Sequence, residues 1–119
     1  MNEVTTAGFG APTVYPDPSS APCLILISSS QVTSIGKVFR MCEPETVVGR
    51  GSGAQCRVWD PGVSRQHAKV VRGQDGTYVL IDLGSTNGTY MGSSKLTEPT
   101  PVEVGSTLRI GKTIFELRK

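Results

Sequence analysis

The sequence predicts an all-β domain built as a sandwich of short strands, and three observations lead there. Glycine (14) and proline (8) punctuate a chain of only 119 residues, and 12 serines and 12 threonines make up another fifth of it. No segment keeps its apolar residues at helical period for as many as ten residues. Instead, about ten short β-propensity runs are separated by turn residues, the spacing expected of a β-sandwich. That mixture excludes a helical bundle and a coiled coil.

The elements follow in order. Cys23 to Ile27 is an apolar run of strand length. Lys37 to Met41 and Thr46 to Val48 come next, broken by Glu43-Pro44. Cys56 to Asp60 alternates, with Arg57 and Trp59 on one side and Cys56, Val58 and Asp60 on the other. His67 to Arg72 and Thr77 to Leu83 are the two clearest strands, joined as a hairpin across Gly73-Gln74-Asp75-Gly76. Thr89 to Met91 is short, and Val102 to Val104, Thr107 to Ile110 and Thr113 to Leu117 close the chain. The last two meet at Gly111-Lys112, a two-residue loop with glycine first that suits a type II′ turn.

Residues 1–22 form a separate block. They hold no Lys or Arg, two acids (Glu3 and Asp17) and four prolines (Pro12, Pro16, Pro18 and Pro22). Such a segment buries too little apolar area to offset its ordering entropy, so a disordered or extended tail is expected. The body, 23–119, carries 12 basic against 8 acidic residues, a net of +4 compared with +2 for the whole chain.

A charged share of 18% and a net charge of +2 are too mild for binding nucleic acid by bulk electrostatics. No stretch approaches the roughly 20 apolar residues of a membrane-spanning helix, so no membrane insertion is expected. Three cysteines (Cys23, Cys42 and Cys56) are an odd number without close pairing, which indicates neither a disulfide framework nor a zinc site. Each sits beside apolar residues and reads as a small buried hydrophobe. The N-terminus has no secretory signal, and the expected location is cytoplasmic. No cofactor and no metal are expected.

Three loops hold the residues that could carry chemistry. Gly49-Arg50-Gly51-Ser52-Gly53 places an arginine among glycines at a strand end. Bare N–H groups and a guanidinium fork suit an anion, although a plain surface loop would look similar. It matches neither nucleotide-binding glycine fingerprint. The second loop, Asp60 to His67, presents Ser64 and Arg65 as the chain enters a strand. A hydrolase would use Ser64 as nucleophile, His67 as base and Asp82 as orienter, but the nucleophile elbow is missing. The single histidine reads better as a tie between loops through both ring nitrogens. The third loop, Asp82 to Thr89, packs Ser85, Thr86 and Asn87 between Gly84 and Gly88. Asn87-Gly88 alone would signal a hairpin turn, yet the loop is longer and displays donors able to read a peptide backbone. Together Arg50, Ser64, Arg65, Ser85, Thr86 and Asn87 are donors without a reactive group. That describes recognition of an anion, with phosphate the best match to a bidentate arginine.

In order and spacing these loops resemble the forkhead-associated (FHA) domain. The motifs that carry the resemblance are Gly49-Arg50, Ser64-Arg65-Gln66-His67 and Asn87-Gly88, and the match covers about residues 23–119. The strings VVGRGSGAQCRVWDPGVSRQHAKVV and GTYVLIDLGSTNGTYMG, and the ending from Val104 to Gly111, are similar to the family as well. The resemblance implies a sandwich of about eleven short strands that binds phosphothreonine peptides through loops at one end. It implies that Arg50 and Ser64 bond the phosphate, with Thr86 and Arg65 assisting, and that Asn87 bonds the peptide backbone. Gly49, His67 and Gly88 would be architectural. Phosphothreonine would be preferred over phosphoserine, and the third residue after it often sets selectivity. The implied partners are a phosphothreonine protein or peptide and an upstream Ser/Thr kinase. Compact bacterial relatives are often fused to an effector such as a diguanylate cyclase, and this chain itself is expected to be no enzyme. A scaffold that binds partners without phosphate, by its sheet face, is the alternative.

The tail offers candidate phosphorylation sites at Thr5, Thr6 and Thr13. An unfolded chain of that length has an end-to-end distance of about 25 Å, and tethering gives an effective concentration in the millimolar range. The expectation is that a phosphorylated tail threonine is a ligand of the domain's own loops, in cis or from a partner chain.

Overall fold

The structure, a computed structural model, describes residues 21–119 except Gln74. Eleven strands form it: β1 (Cys23–Ser28), β2 (Val38–Arg40), β3 (Glu45–Gly49), β4 (Cys56–Arg57), β5 (Ala68–Arg72) and β6 (Tyr78–Asp82), followed by β7 (Thr89–Met91), β8 (Ser94–Lys95), β9 (Thr100–Val102), β10 (Thr107–Ile110) and β11 (Thr113–Arg118). They make a six-stranded sheet ordered β2-β1-β11-β10-β7-β8 and a five-stranded sheet ordered β4-β3-β5-β6-β9. This is the expected all-β sandwich of eleven strands.

Alternation within the strands builds the core. Along β11, Thr113, Phe115 and Leu117 point inward while Ile114 and Glu116 are half-exposed. Register lines inward residues up across neighbours: Leu26 and Leu108 both face Phe115, and Leu24 faces Leu117. In the second sheet Thr46 and Leu80 both pair with Val70, and all three are buried. Each fully buried Leu, Val or Phe contributes about 1.5–3 kcal/mol from area removed from water. The two inner faces therefore make one continuous core, and the loops stand on a rigid base.

Several elements depart from the expectation. A 3-10 turn at Val32–Ser34 and the strand β8 carry no apolar period that a sequence pattern could detect. The alternation from Cys56 to Asp60 holds in burial, but only Cys56–Arg57 is laddered. The segment expected at Val102 to Val104 lies earlier, as β9. There Pro101 is tolerated because β9 is the outer strand of its sheet. Cys23 and Cys56 are buried as expected, whereas Cys42 is only half-buried, and all three are free thiols.

The packed body reaches back to Ala21, which is fully buried. Its carbonyl accepts from Arg40 Nη1 at 3.1 Å, and the Pro22 carbonyl accepts from the Met41 N–H at 2.8 Å. The rest of the expected tail, with Thr5, Thr6 and Thr13, lies outside the described residues. No helix among the described residues is long and apolar enough to cross a membrane.

Candidate functional site

Four connections gather at one end of the sandwich: the β3–β4 loop (residues 50–55), the β4–β5 loop (58–67), the β6–β7 loop (83–88) and the β10–β11 turn (111–112). The first is unusual, because β3 and β4 are parallel neighbours joined by only six residues. Parallel strands ordinarily need a crossover of a dozen residues or more. Here the chain curls straight back, and side-chain and backbone bonds cinch it. Gln55 Oε1 accepts from the Val47 N–H at 2.8 Å, and the Gly49 carbonyl accepts from the Val58 N–H at 2.9 Å. The curl brings the backbone of Gly49 so close to that of Arg65 that any Cβ at position 49 would land on the Arg65 carbonyl. Beyond that point the Arg50 N–H donates to the Ser64 carbonyl at 2.9 Å, and the Gly51 N–H to the Arg65 carbonyl at 3.0 Å.

His67 ties the second loop to the third. It is fully buried, and its Nδ1 accepts from the Ser64 N–H at 3.0 Å. The ring proton therefore sits on Nε2, which donates to the Gly88 carbonyl at 2.8 Å. Gly88 holds a left-handed φ of 85°, which only glycine adopts without strain and which aims that carbonyl at the ring. With both nitrogens engaged by backbone, His67 has none to offer the Ser64 hydroxyl. Asp82 is likewise bonded to Gly84, Ser85 and Thr89 rather than to His67. Ser64, His67 and Asp82 thus do not form a nucleophile, base and orienter.

The expected site residues take up distinct positions. Arg50 is exposed, and its Nε donates to the Val63 carbonyl at 3.0 Å, which fixes the guanidinium and leaves its terminal nitrogens outward. Ser64 Oγ accepts from the Thr86 N–H at 3.1 Å, so its own proton remains available to donate. Asn87 Nδ2 donates to the Gly62 carbonyl at 2.8 Å, leaving the side-chain oxygen and one amide proton for a ligand. Arg50, Ser64, Thr86 and Asn87, with Pro61, Gly62 and Val63, line one shallow depression of about 140 Å³. Arg65 stands on its flank, lining an adjoining recess with Arg50. Ser85 is placed differently. Its hydroxyl donates to Asp82 Oδ1 at 2.6 Å and accepts from the Gly88 N–H at 3.0 Å, so it is turned into its own loop.

Two carboxylates that carry this end had no binding role in the sequence reading. Asp60 is 2% exposed, and its oxygens accept from the Gly62 N–H at 2.8 Å, the Lys112 N–H at 2.8 Å and the Thr113 hydroxyl at 3.0 Å. It locks the β4–β5 loop to the β10–β11 turn. Burial pushes its carboxyl up, but the donors from Gly62, Lys112 and Thr113 outweigh burial and hold it below the usual carboxylate range. Asp82 behaves alike: burial raises it, and donors from Ser85, Thr89 and Gly84 bring it below. The signal for Asp60 was present in the alternation, which puts it on the same side as Cys56 and Val58.

Two larger recesses flank the depression. One, of about 450 Å³, is lined by Asn87, Tyr90, Arg109 and Lys112 among others, with the Arg109 guanidinium 4.1 Å over the Tyr90 ring. The other, of about 440 Å³, lies on the Arg65 side. Neither Tyr90 nor Arg109 stood out in the sequence, because each sits in a strand and carries no loop motif. Among the described residues no group of three or more His, Cys, Asp or Glu could hold a metal ion.

Comparison with known proteins places the chain. A family model described as the FHA domain matches residues 46–111. The FHA domain-containing protein FhaB of Mycobacterium tuberculosis is 37% identical over 84 residues, covering 70% of this chain and 53% of FhaB. The chain therefore spans about half the length of the FhaB proteins it matches. A structure from a structural and functional analysis of phosphothreonine-dependent FHA domain interactions superposes with a TM-score of 0.72 at 28% identity, covering 84% of this chain and 97% of that one. A crystal structure of the FhaA FHA domain complexed with the intracellular domain of Rv3910 gives a TM-score of 0.71 at 30% identity, covering 82% of this chain and 100% of that one. Matched across more than half its length and folded as the family folds, this chain belongs to the forkhead-associated (FHA) domain family.

Proposed function

We propose that this chain captures phosphothreonine-containing proteins or peptides in signal transduction, and that it does so without catalysing a reaction. The observation that carries this reading is the depression under Arg50, Ser64, Thr86 and Asn87, which gathers fixed donors and, among the described residues, includes no carboxylate in its lining. A phosphate of charge near −2 placed there meets the outward guanidinium of Arg50 and the free proton of Ser64. Arg65 adds a second cation from the flank, and the amide of Asn87 is free to bond the peptide backbone beside the phosphothreonine. Ser85 supports the loop from within and touches no ligand in this scheme. The phosphothreonine-dependent interactions of the similar FHA domain, and the complex of the FhaA domain with another protein's intracellular domain, support the same class of partner.

The upstream enzyme is a Ser/Thr kinase, and the ligand is either a separate protein or the chain's own N-terminal segment, phosphorylated at Thr5, Thr6 or Thr13. Capture then switches an effector, whether a fused domain such as a diguanylate cyclase or a separate protein. Three free thiols support a reducing, cytoplasmic setting.

Calorimetry with matched phosphothreonine, phosphoserine and unmodified peptides tests the reading. Binding is expected for the phosphothreonine form, weaker binding for phosphoserine and none for the unmodified form. Arg50→Ala should lose about 10- to 100-fold in affinity, the loss expected of a charged hydrogen-bond donor, while its unfolding midpoint stays put. Equal affinity for the phosphorylated and unmodified peptides would replace this reading with the phosphate-independent scaffold.

A further inference from the structure

The Arg65 flank of the site holds more positive charge than one phosphothreonine requires. Arg50, Arg57 and Arg65 line the same recess of about 440 Å³, together with Gly51, Ser52 and Gln66, and among the described residues no carboxylate belongs to its lining. The ion pairs among the described residues, Lys69 with Glu45 and Arg118 with Glu116, involve none of these three arginines. Three of the 12 basic residues of a chain with a net charge of only +2 are thus gathered without an acidic neighbour in the recess among the described residues.

Arg57 is also held in place. Its Nε donates to the Arg50 carbonyl at 3.1 Å, and its guanidinium lies 4.1 Å over the ring of Trp59. Trp59 is 51% exposed, an unusual state for a tryptophan, and one face of its ring supports the cation. An arginine stacked and bonded in this way loses little further freedom when it grips a ligand, so it is pre-organised. With Nε engaged by the backbone, the terminal nitrogens remain to meet an anion. Because Arg50 lines both this recess and the depression proposed for the phosphothreonine, an anion in the recess lies on the same ligand.

We propose that Arg57, with Arg65, forms a second anionic subsite, which takes a phosphate or carboxylate carried by the same peptide close to its phosphothreonine. The proposal rests on the phosphothreonine reading above and refines it: the preferred ligand is doubly anionic, a phosphothreonine with an acidic or second phosphorylated residue beside it.

The test is an array of phosphothreonine peptides in which each position within about four residues of the phosphothreonine is replaced in turn by Ala, Asp, Glu or phosphoserine. Affinities are then measured by fluorescence anisotropy for wild type and Arg57→Gln. In wild type, one or two adjacent positions should bind about tenfold tighter with an anion than with Ala. Phosphoserine should exceed Asp and Glu if the subsite is built for phosphate; parity among the three identifies a carboxylate site. The gain should shrink with added salt and fall to about onefold in Arg57→Gln. The ratio between anionic and Ala peptides is the readout, so a general weakening from disturbing the Arg50 carbonyl does not obscure it. No gain at any position, or a gain that survives Arg57→Gln, overturns the proposal. Failure of the Ala-flanked phosphothreonine peptides to bind at all would instead overturn the phosphothreonine reading itself.

Discussion

Asp60 and Asp82 accept hydrogen bonds from their own chain, and those bonds hold the loops proposed to bind. Asp60 spans two loops with three accepted hydrogen bonds, and Asp82 accepts four around one loop. Both carboxyls lie below their ordinary range in the folded chain, so each contributes stability that is fully present above the unfolded value of about 3.9. That contribution is lost as pH falls through the depressed folded values. Asp60→Asn keeps the shape but loses charge-assisted acceptance, and should cost about 2 kcal/mol at pH 7. At pH 3 and below the difference between variant and wild type should narrow. Urea midpoints of both proteins across pH 2.5 to 7 measure this, and a constant difference would remove the assigned role of the carboxylate. Residue identity alone could not assign these roles. Ser64 and Ser85 are both loop serines, and only the partners of their hydroxyls reveal that one keeps its proton for a ligand while the other is spent on Asp82 and Gly88.

Between strands and loops, the decisive element is the six-residue return from β3 to β4. It works only because position 49 carries no side chain where the Arg65 backbone passes. Gly49→Ala should therefore push β3 away from the β4–β5 loop and misplace Arg50, Ser64 and Arg65 together. An overpacking cost of about 2 kcal/mol is expected, along with a loss of phosphopeptide affinity as large as that of Arg50→Ala. Thermal unfolding and calorimetry on the same sample check both. Gly53→Ala is the control, since a Cβ there meets nothing within 4 Å, and it should change little. Much of this architecture was legible beforehand. The β5–β6 hairpin, β10, β11 and the turn between them show in alternation and turn chemistry, because each strand buries one face. The loop motifs coincide with the depression proposed above as the binding site. The parallel return, β8 and β9 were not legible. The first is set by backbone contacts that no periodicity records, the second has two exposed residues, and the third contains a proline that reads as a break until its edge position is known. Arg57, Tyr90 and Arg109, which line the recesses beside the proposed site, did not stand out for a related reason: strand residues look alike until the neighbouring loop is in view.

For the whole molecule, topology decides how the N-terminal segment could serve as ligand. The chain enters the sandwich at the end opposite the loops proposed to bind, because Cys23 pairs with Arg118 at the far end of β11 while Thr113 begins β11 beside Asp60. A six-residue strand spans about 20 Å, and a phosphothreonine reaching the depression from Ala21 must cover at least that distance. Thr13 lies eight residues before Ala21, so its segment would have to be nearly fully extended, at about 27 Å. Thr5 and Thr6 have about twice that reach, and a tether of their length keeps the effective concentration in the millimolar range. Capture in cis therefore favours Thr5 or Thr6, whereas phosphorylation at Thr13 favours capture by a second copy. Two semisynthetic proteins, each phosphorylated at one of these positions, separate the cases. The Thr6 form should remain monomeric in sedimentation at every concentration, shift the amide resonances of Arg50 and Ser64, and bind added phosphopeptide at least tenfold more weakly than the unmodified chain. The Thr13 form should associate as concentration rises, and Arg50→Ala should weaken both behaviours by the roughly 10- to 100-fold given above. If neither form shifts those resonances, the N-terminal segment is no ligand of its own domain, and the loops serve partners alone.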